Sequence, residues 1–275
     1  LPASRLTAAE RALAAALRAG GAVLGEGGAA VDGVVEAVKV LEDDPVFNAG
    51  RGSVLTAEGR VEMDAAVADG HLRRAGAVAA CEGVRNPVEA ARGVLAHTDH
   101  VLLVGETVTQ LAKGWGLAVE PEEWFVPSRP PAVQSETVGA VALDDDGHLA
   151  AATSTGGRAG QLAGRVGDSP IVGAGIWADD GTCAVSATGH GEAFVLAAFA
   201  HEVDALLRLA GADIGTACER ALVAVSARGG KGGCIALDRT GRLVLPFTSD
   251  LMFRGWTSSS GQLVTAVLPD DIPGD

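Results

Sequence analysis

The sequence predicts an α+β fold, on three observations. Helical patterns occur in both halves of its 275 residues. In the second half, short apolar runs alternate with Asp-Gly turns, the signature of strands joined as hairpins. The hydrophobic fraction of 48% is ample for a buried core and argues against disorder. Together these features suggest helical layers covering packed sheets.

The elements follow in order. Thr7-Ala-Ala-Glu10 reads as a capping box opening an alanine-rich helix that stops at Gly20-Gly21, and a second helix is expected from about Ala29 to Leu41. The stretch LEDDPVFNAGRGSVLTAEGRVEMDAAVADG mixes turn residues with strand-like pieces around Val54 and from Val61 to Val67. A helix from Pro87 to His97, a strand from Val101 to Val104 and a helix from Glu106 come next. EPEEWFVPSRPPAVQSE is proline-rich and aperiodic, and reads as an exposed linker.

Beyond it, Thr137 to Leu143 and His148 to Thr155 form one expected hairpin, and Ile171 to Ala178 with Thr182 to Thr188 a second. Helices are expected over Glu192 to Leu209 and Asp213 to Ala227, then strands at Cys234 to Leu237, Arg242 to Pro246, Met252 to Trp256 and Gln262 to Val267. No internal repeat interrupts this order.

Charge and composition narrow the function. A net charge of −14 repels a phosphate backbone, and Arg73-Arg74 and Arg228 to Lys231 are too short to make a basic stripe, so no nucleic acid is expected. The apolar runs end well short of the roughly 20 residues that cross a bilayer, so no membrane partner is expected either. Cys81, Cys183, Cys218 and Cys234 show no metal-ligand spacing and read as buried thiols. The opening residues carry no basic region followed by an apolar stretch, which leaves the cytoplasm as the default location.

The segment from Gln134 to Pro170 is where chemistry concentrates. A threonine hydroxyl attacks a carbonyl only with a base in reach, and one solution uses its own free α-amino group. Thr137 follows the linker and opens a strand, so a cut before it would leave an N-terminus both anchored and accessible. Thr137 also reads simply as a good strand former. Likewise Arg165 and Asp168 read as a surface ion pair, Thr155 and Thr188 as strand-end residues, and His190 as a structural histidine. GGRAGQLAG lacks the spacing and setting of a phosphate-binding loop.

Taken together and in order, DPVFNAGRGS, TVGAVALD, ATSTGG, GRVGDSP and SATGHGE resemble the plant-type asparaginase and isoaspartyl peptidase family of N-terminal nucleophile hydrolases. The resemblance implies a four-layer αββα sandwich in a single domain spanning residues 1–275. It would mature by cleavage between Glu136 and Thr137 into an α part, 1–136, and a β part, 137–275. It implies hydrolysis of the side-chain amide of L-asparagine and of β-aspartyl dipeptides. Thr137 would be the nucleophile and Thr155 its hydrogen-bonding partner, and Asn48 would shape the site. Thr188 and the Gly189 N–H would form the oxyanion hole. Arg165 would grip the substrate carboxylate and Asp168 its ammonium.

The resemblance also implies no cofactor for catalysis, a structural sodium ion held by backbone carbonyls of Leu41, Glu42, Asp44, Phe47, Ala49 and Arg51, and a homodimer of αβ units. Two departures stand out. The family's usual opening strand ending in His-Gly-Gly has no counterpart here, and Glu136 replaces the glycine that commonly precedes the nucleophile. A glycoasparaginase-like amidase and an uncleaved binding module therefore stand as alternatives.

Overall fold

The computed structural model describes residues 2–126 and 137–268 and has the expected α+β composition. Helices α1 (Ala3–Gly25) and α2 (Ala30–Asp43) open the chain and pack together. Gly20-Gly21 does not stop α1. A Cβ on Gly20 would lie 2.8 Å from the Gly33 carbonyl oxygen, so the missing side chain lets the two helices cross closely. Nor is Thr7 a cap. Pro2 precedes the first turn with φ −62°, and the Thr7 hydroxyl donates back to the Ala3 carbonyl at 3.2 Å.

Strand β1 (Met63–Asp69) begins and ends two residues later than expected, and no strand forms at Val54, whose N–H donates to the Asn48 side chain instead of a ladder. Strand β2 (Arg74–Cys81) is not among the expected elements, because its alanines carry little strand preference. Helix α3 (Pro87–His97), strand β3 (Leu102–Val104) and helix α4 (Glu106–Gly114) follow. The first part of the expected linker folds instead as α5 (Glu122–Phe125). Phe125 is buried there, and its carbonyl accepts the Gly52 N–H.

Strands β4 (Val138–Leu143) and β5 (Leu149–Thr155) make the expected hairpin and complete a five-stranded sheet in the order β3-β2-β1-β5-β4. In the second hairpin, β6 (Ile176–Ala178) is short and pairs with β7 (Cys183–Gly189).

The long helix expected after it is two, α6 (Gly191–Ala197) and α7 (Phe199–Ala210). Ala198 between them adopts φ +46°, and the Ala200 and His201 N–H groups donate to the Ala174 and Gly173 carbonyls. The break turns the first amides of α7 onto that loop. Helix α8 (Ile214–Ser226) begins at Asp213, whose side chain accepts the Gly215 and Thr216 N–H groups. Strands β8 (Gly232–Asp238) and β9 (Leu243–Val244) finish a four-stranded sheet ordered β6-β7-β8-β9, and β10 (Arg254–Thr257) with β11 (Leu263–Ala266) packs beside α1.

Three buried clusters hold these parts. Val34 and Val38 of α2 meet Met63, Ala65 and Val67 of β1. The alternate residues Ala66 and Ala68 face the other way, against Leu149, Ala151, Ile176 and Ala184 between the sheets. Val185 and Cys234 join Phe194, Phe199, Val203 and Ile214 beneath the second sheet. All four cysteines are free and buried, as expected. Among the described residues no helix is long and apolar enough to cross a membrane.

Candidate active site

The site lies where β5 and β7 end. The two strands run the same way, because Leu149 at the start of β5 donates its N–H to Asp180 just before β7. Val138 pairs with Ser154, which sets the half-buried Thr137, one residue before β4, beside Thr155 at the end of β5. Behind them the Thr153 and Ser186 hydroxyls lie 2.8 Å apart, and Gly139 passes so close to Ser186 that a side chain would strike its hydroxyl. Thr137, Thr155 and Thr188 each lie two residues beyond Gly139, Thr153 and Ser186. Strand side chains repeat every second position, so the three threonines share the same end of the facing strands.

Buried Asn48 fastens the turn beyond Thr155. Its amide donates to the Gly157 carbonyl at 2.7 Å, its side-chain oxygen accepts the Val54 N–H, and its backbone carbonyl accepts the Gly156 N–H. Gly156 has to lack a side chain, since a Cβ would run into that amide. The Gly157 N–H in turn donates to the Thr155 hydroxyl oxygen at 3.1 Å, which orients the hydroxyl.

The loop after it carries Arg165 and Asp168. Arg165 is mostly buried and reaches Glu192 with Nε and Nη2, each 3.0 Å from Oε1. Asp168 is 4% exposed, and its Oδ2 has no hydrogen-bond partner. Burial pushes this carboxyl up to about 7, against the opposing pull of its own backbone N–H and of Arg165. The two residues are therefore not a solvated surface pair. Gly191 fits against both, since a Cβ there would lie 2.7 Å from Asp168 Oδ1 and 3.0 Å from Arg165 Nη2.

Two acids unrecognised in the sequence, one just before β1 and one within it, hold this loop in place. Glu62 accepts the Gly164 N–H at 2.7 Å, and Asp64 accepts the Gly167 N–H at 3.3 Å as well as that of Ala80. Burial lifts Asp64 to about 6 despite those two donors. The alternation in Val-Glu-Met-Asp was the available signal: two acids two apart on a strand share one face and aim at one target. Glu192 and Ser186 were also missed, because each lies beside a motif residue and looks ordinary alone.

Thr188 is half-buried, and Gly189 adopts φ +144° against the Lys231 carbonyl and Gly232, where no side chain fits. His190 follows. Its Nδ1 accepts the Lys231 N–H at 3.3 Å and its own N–H donates to the Lys231 carbonyl, a structural setting. Glu136 lies outside the described residues.

The loop expected to hold sodium closes tightly. The Leu41, Glu42 and Asp44 carbonyls accept the Asp44, Arg51 and Phe47 N–H groups, and Gly50 and Gly52 pass against the Glu42 and Phe47 carbonyls. Each carbonyl oxygen keeps a second lone pair, so this neutral, hard oxygen set with Ala49 and Arg51 fits a monovalent cation. The Glu42 side chain points elsewhere, accepting the Val88 N–H, and full burial lifts it to about 8. A separate cleft of about 450 Å³, lined by Arg60, Glu82, Thr109 and Phe125, holds none of the threonines.

Comparison with known proteins shows the family. The family model described as asparaginase matches residues 1–134 and 127–267. An isoaspartyl peptidase of Salmonella typhimurium is 45% identical over 251 residues, 82% of this chain and 80% of that protein. A plant-type L-asparaginase of Pyrobaculum calidifontis is 47% identical over 248 residues, 82% and 83% of the two chains. A human isoaspartyl peptidase/L-asparaginase is 40% identical over 262 residues, 88% and 84%.

Proposed function

Because this chain belongs to the asparaginase family, we propose that it hydrolyses the side-chain amide of L-asparagine and of β-aspartyl dipeptides through a threonyl acyl-enzyme. The observation that carries the reading is that the Arg165 guanidinium and the Asp168 carboxylate, whose buried Oδ2 has no hydrogen-bond partner, both lie against Gly191. A guanidinium and a carboxylate side by side match the carboxylate and ammonium of an amino-acid head group. Asp168 ionises on meeting that ammonium, because an opposite charge at contact favours the charged form.

With the head group held, the side-chain carbonyl is presented to the three threonines. The Thr137 hydroxyl attacks, its proton passing to its own α-amino group, and Thr155 steadies the nucleophile through a hydroxyl already oriented by Gly157. Thr188 and the Gly189 N–H receive the developing oxyanion, a contribution of roughly 3–4 kcal/mol per donor. The amine or ammonia leaves with the proton, and water then cleaves the ester by the same route.

The α-amino group of Thr137 becomes free when its hydroxyl attacks the Glu136 carbonyl in an N-to-O acyl shift, and water then hydrolyses the resulting ester to give parts 1–136 and 137–275. Asn48, by fixing the Gly156–Gly157 turn, supports both reactions. In this reading the three buried clusters are the interfaces of a four-layer αββα sandwich. The carbonyls of Leu41, Glu42, Asp44, Phe47, Ala49 and Arg51 hold a sodium ion that stiffens the loop carrying Asn48. The assembly is a cytoplasmic homodimer of αβ units.

Intact mass after prolonged incubation, followed by assays on L-asparagine, β-aspartyl dipeptide and glycosylated asparagine, tests this. Two species dividing before Thr137, with turnover of the first two substrates, is the expected result. Fully divided protein without turnover overturns the reading, and preference for glycosylated asparagine replaces the substrate. A chain that stays intact while binding amino acids makes it a binding module.

A further inference from the structure

At the opposite end of the sheets three turns meet, and none of their chemistry is used by the reaction. His71 lies in the β1–β2 turn, His148 just before β5, and Asp180 in the β6–β7 turn. Their ligand-capable atoms all lie within 4.8 Å of one another. Asp180 Oδ2 is 2.8 Å from His148 Nδ1 and 3.7 Å from His71 Nδ1, and the two imidazoles lie against each other with centroids 3.8 Å apart.

We propose that His71, His148 and Asp180 form a binding site for a borderline divalent transition metal of the Zn(II) class. Two imidazole nitrogens and one carboxylate oxygen suit such an ion, and three protein ligands leave a fourth position to water. Tetrahedral bonds of about 2.0–2.1 Å set neighbouring ligand atoms about 3.3 Å apart. The present spacings bracket that value, so small side-chain rotations close the site.

The carboxylate is already fixed for the task. Its other oxygen, Oδ1, accepts the Leu149 N–H at 2.8 Å, so Oδ2 is turned toward the imidazoles. The Asp180 N–H donates to the Gly70 carbonyl, and the Gly70 N–H to the Leu149 carbonyl, which ties the three turns together. Gly70 makes the approach possible, since a Cβ there would lie 2.7 Å from Asp180 Oδ1. Such outer hydrogen bonds orient metal ligands.

The surroundings favour positive charge. Asp180 lies 2.8 Å from the His148 imidazole, and Asp144 accepts the Asp146 and His148 backbone N–H groups beside it. Asp69 holds the Leu72 N–H in the same turn as His71, while Arg73 is engaged by Asp179. His71 and His148 remain partly exposed, which leaves the ion a way in.

His71 precedes Thr137 in the chain, and His148 and Asp180 follow it. If the proposed self-cleavage occurs, the ion ties the two parts together. Metal binding itself does not depend on cleavage, so uncleaved Thr137→Ala protein binds equally well.

Titration of the untagged full chain with Zn(II) in a calorimeter, paired with Co(II) absorption, tests the site. The expected result is saturable one-to-one binding, a tetrahedral Co(II) spectrum, and a rise in Tm with Zn(II). His71→Ala, on an exposed turn, and Asp180→Asn, which preserves the acceptor for Leu149, each weaken binding by at least about tenfold, while His100→Ala does not. No saturable binding, or binding that survives His71→Ala and Asp180→Asn unchanged, overturns the proposal. Equal loss in His100→Ala also overturns it, because the metal would then be held elsewhere.

Discussion

The two ends of the paired sheets are built from similar residues and treat their carboxylates differently. At the turn end, Asp144 accepts the N–H groups of Ala30, Asp146 and His148, Asp179 those of Gly181 and Arg73, and Asp180 those of Leu149 and His148. Each oxygen of these three acids has a partner. At the threonine end, Asp64 is likewise satisfied by Ala80 and Gly167, but Asp168 Oδ2 is buried without a partner. Buried polar atoms are nearly always paired, and leaving one unpaired costs about 1–3 kcal/mol. The difference marks Asp64 as part of the scaffold and leaves Asp168 free to meet the head group that the proposed function assigns to it.

The sharpest way to break this division is to remove the nucleophile. Thr137→Ala is expected to stay intact by mass and to lose about 10⁴-fold or more in kcat, with Tm little changed. Retained turnover would move the chemistry away from the strand ends. Next comes the pair Asp168→Asn and Asp64→Asn. The first should lower kcat/KM by about 10²–10³-fold, the loss expected for one partner of a buried charge pair, without loss of Tm. The second should chiefly lower Tm. Equal loss of stability in both would erase the distinction between scaffold and substrate carboxylates.

The same carboxylates make activity and stability respond to pH in opposite directions. Glu42, Asp64 and Asp168 are raised by burial to about 8, 6 and 7. Between their ordinary values and these, the folded chain holds protons that the unfolded chain has released. Their contribution to stability is therefore largest in acid and is lost as pH rises through the folded values. Asp168, in contrast, must be ionised to hold an ammonium, so kcat/KM should rise through about pH 7. Thermal melts from about pH 5 to 8 should show falling Tm, with a shallower slope in Glu42→Gln. A Tm that climbs over this range would mean that these groups are not buried as described.

Much of this was legible because it rests on local pattern. The Asp-Gly turns gave the β4–β5 hairpin, and five ordered motifs picked out segments that the fold gathers at one end of the sheets. What escaped was set by contacts distant in sequence. Gly20-Gly21 looks like a stop until Gly33 packs against it, and α6 and α7 look continuous until the loop at Gly173 and Ala174 takes the first amides of α7. Asp64 lies 103 residues from Gly167. No periodicity reports such a hydrogen bond. The metal triad was invisible for the same reason, each member being an ordinary turn residue.

The smallest expected effect separates the two ends most cleanly. Gly70 and Gly191 both lie against a carboxylate where a Cβ would come within 2.7 Å, Gly70 at Asp180 and Gly191 at Asp168. The physical insult of an added methyl is similar at the two. Gly70→Ala should cost about 1–3 kcal/mol of stability through overpacking while leaving kcat/KM within about twofold, because its neighbours take no part in the proposed hydrolysis. The matched methyl at Gly191 presses on the groups proposed to hold the head group, so its cost should appear as a raised KM. If Gly70→Ala raised KM as well, the turn end would be coupled to the threonine end through β5 and β7. The sheets would then transmit strain along their length, and the two ends could not be treated as separate sites.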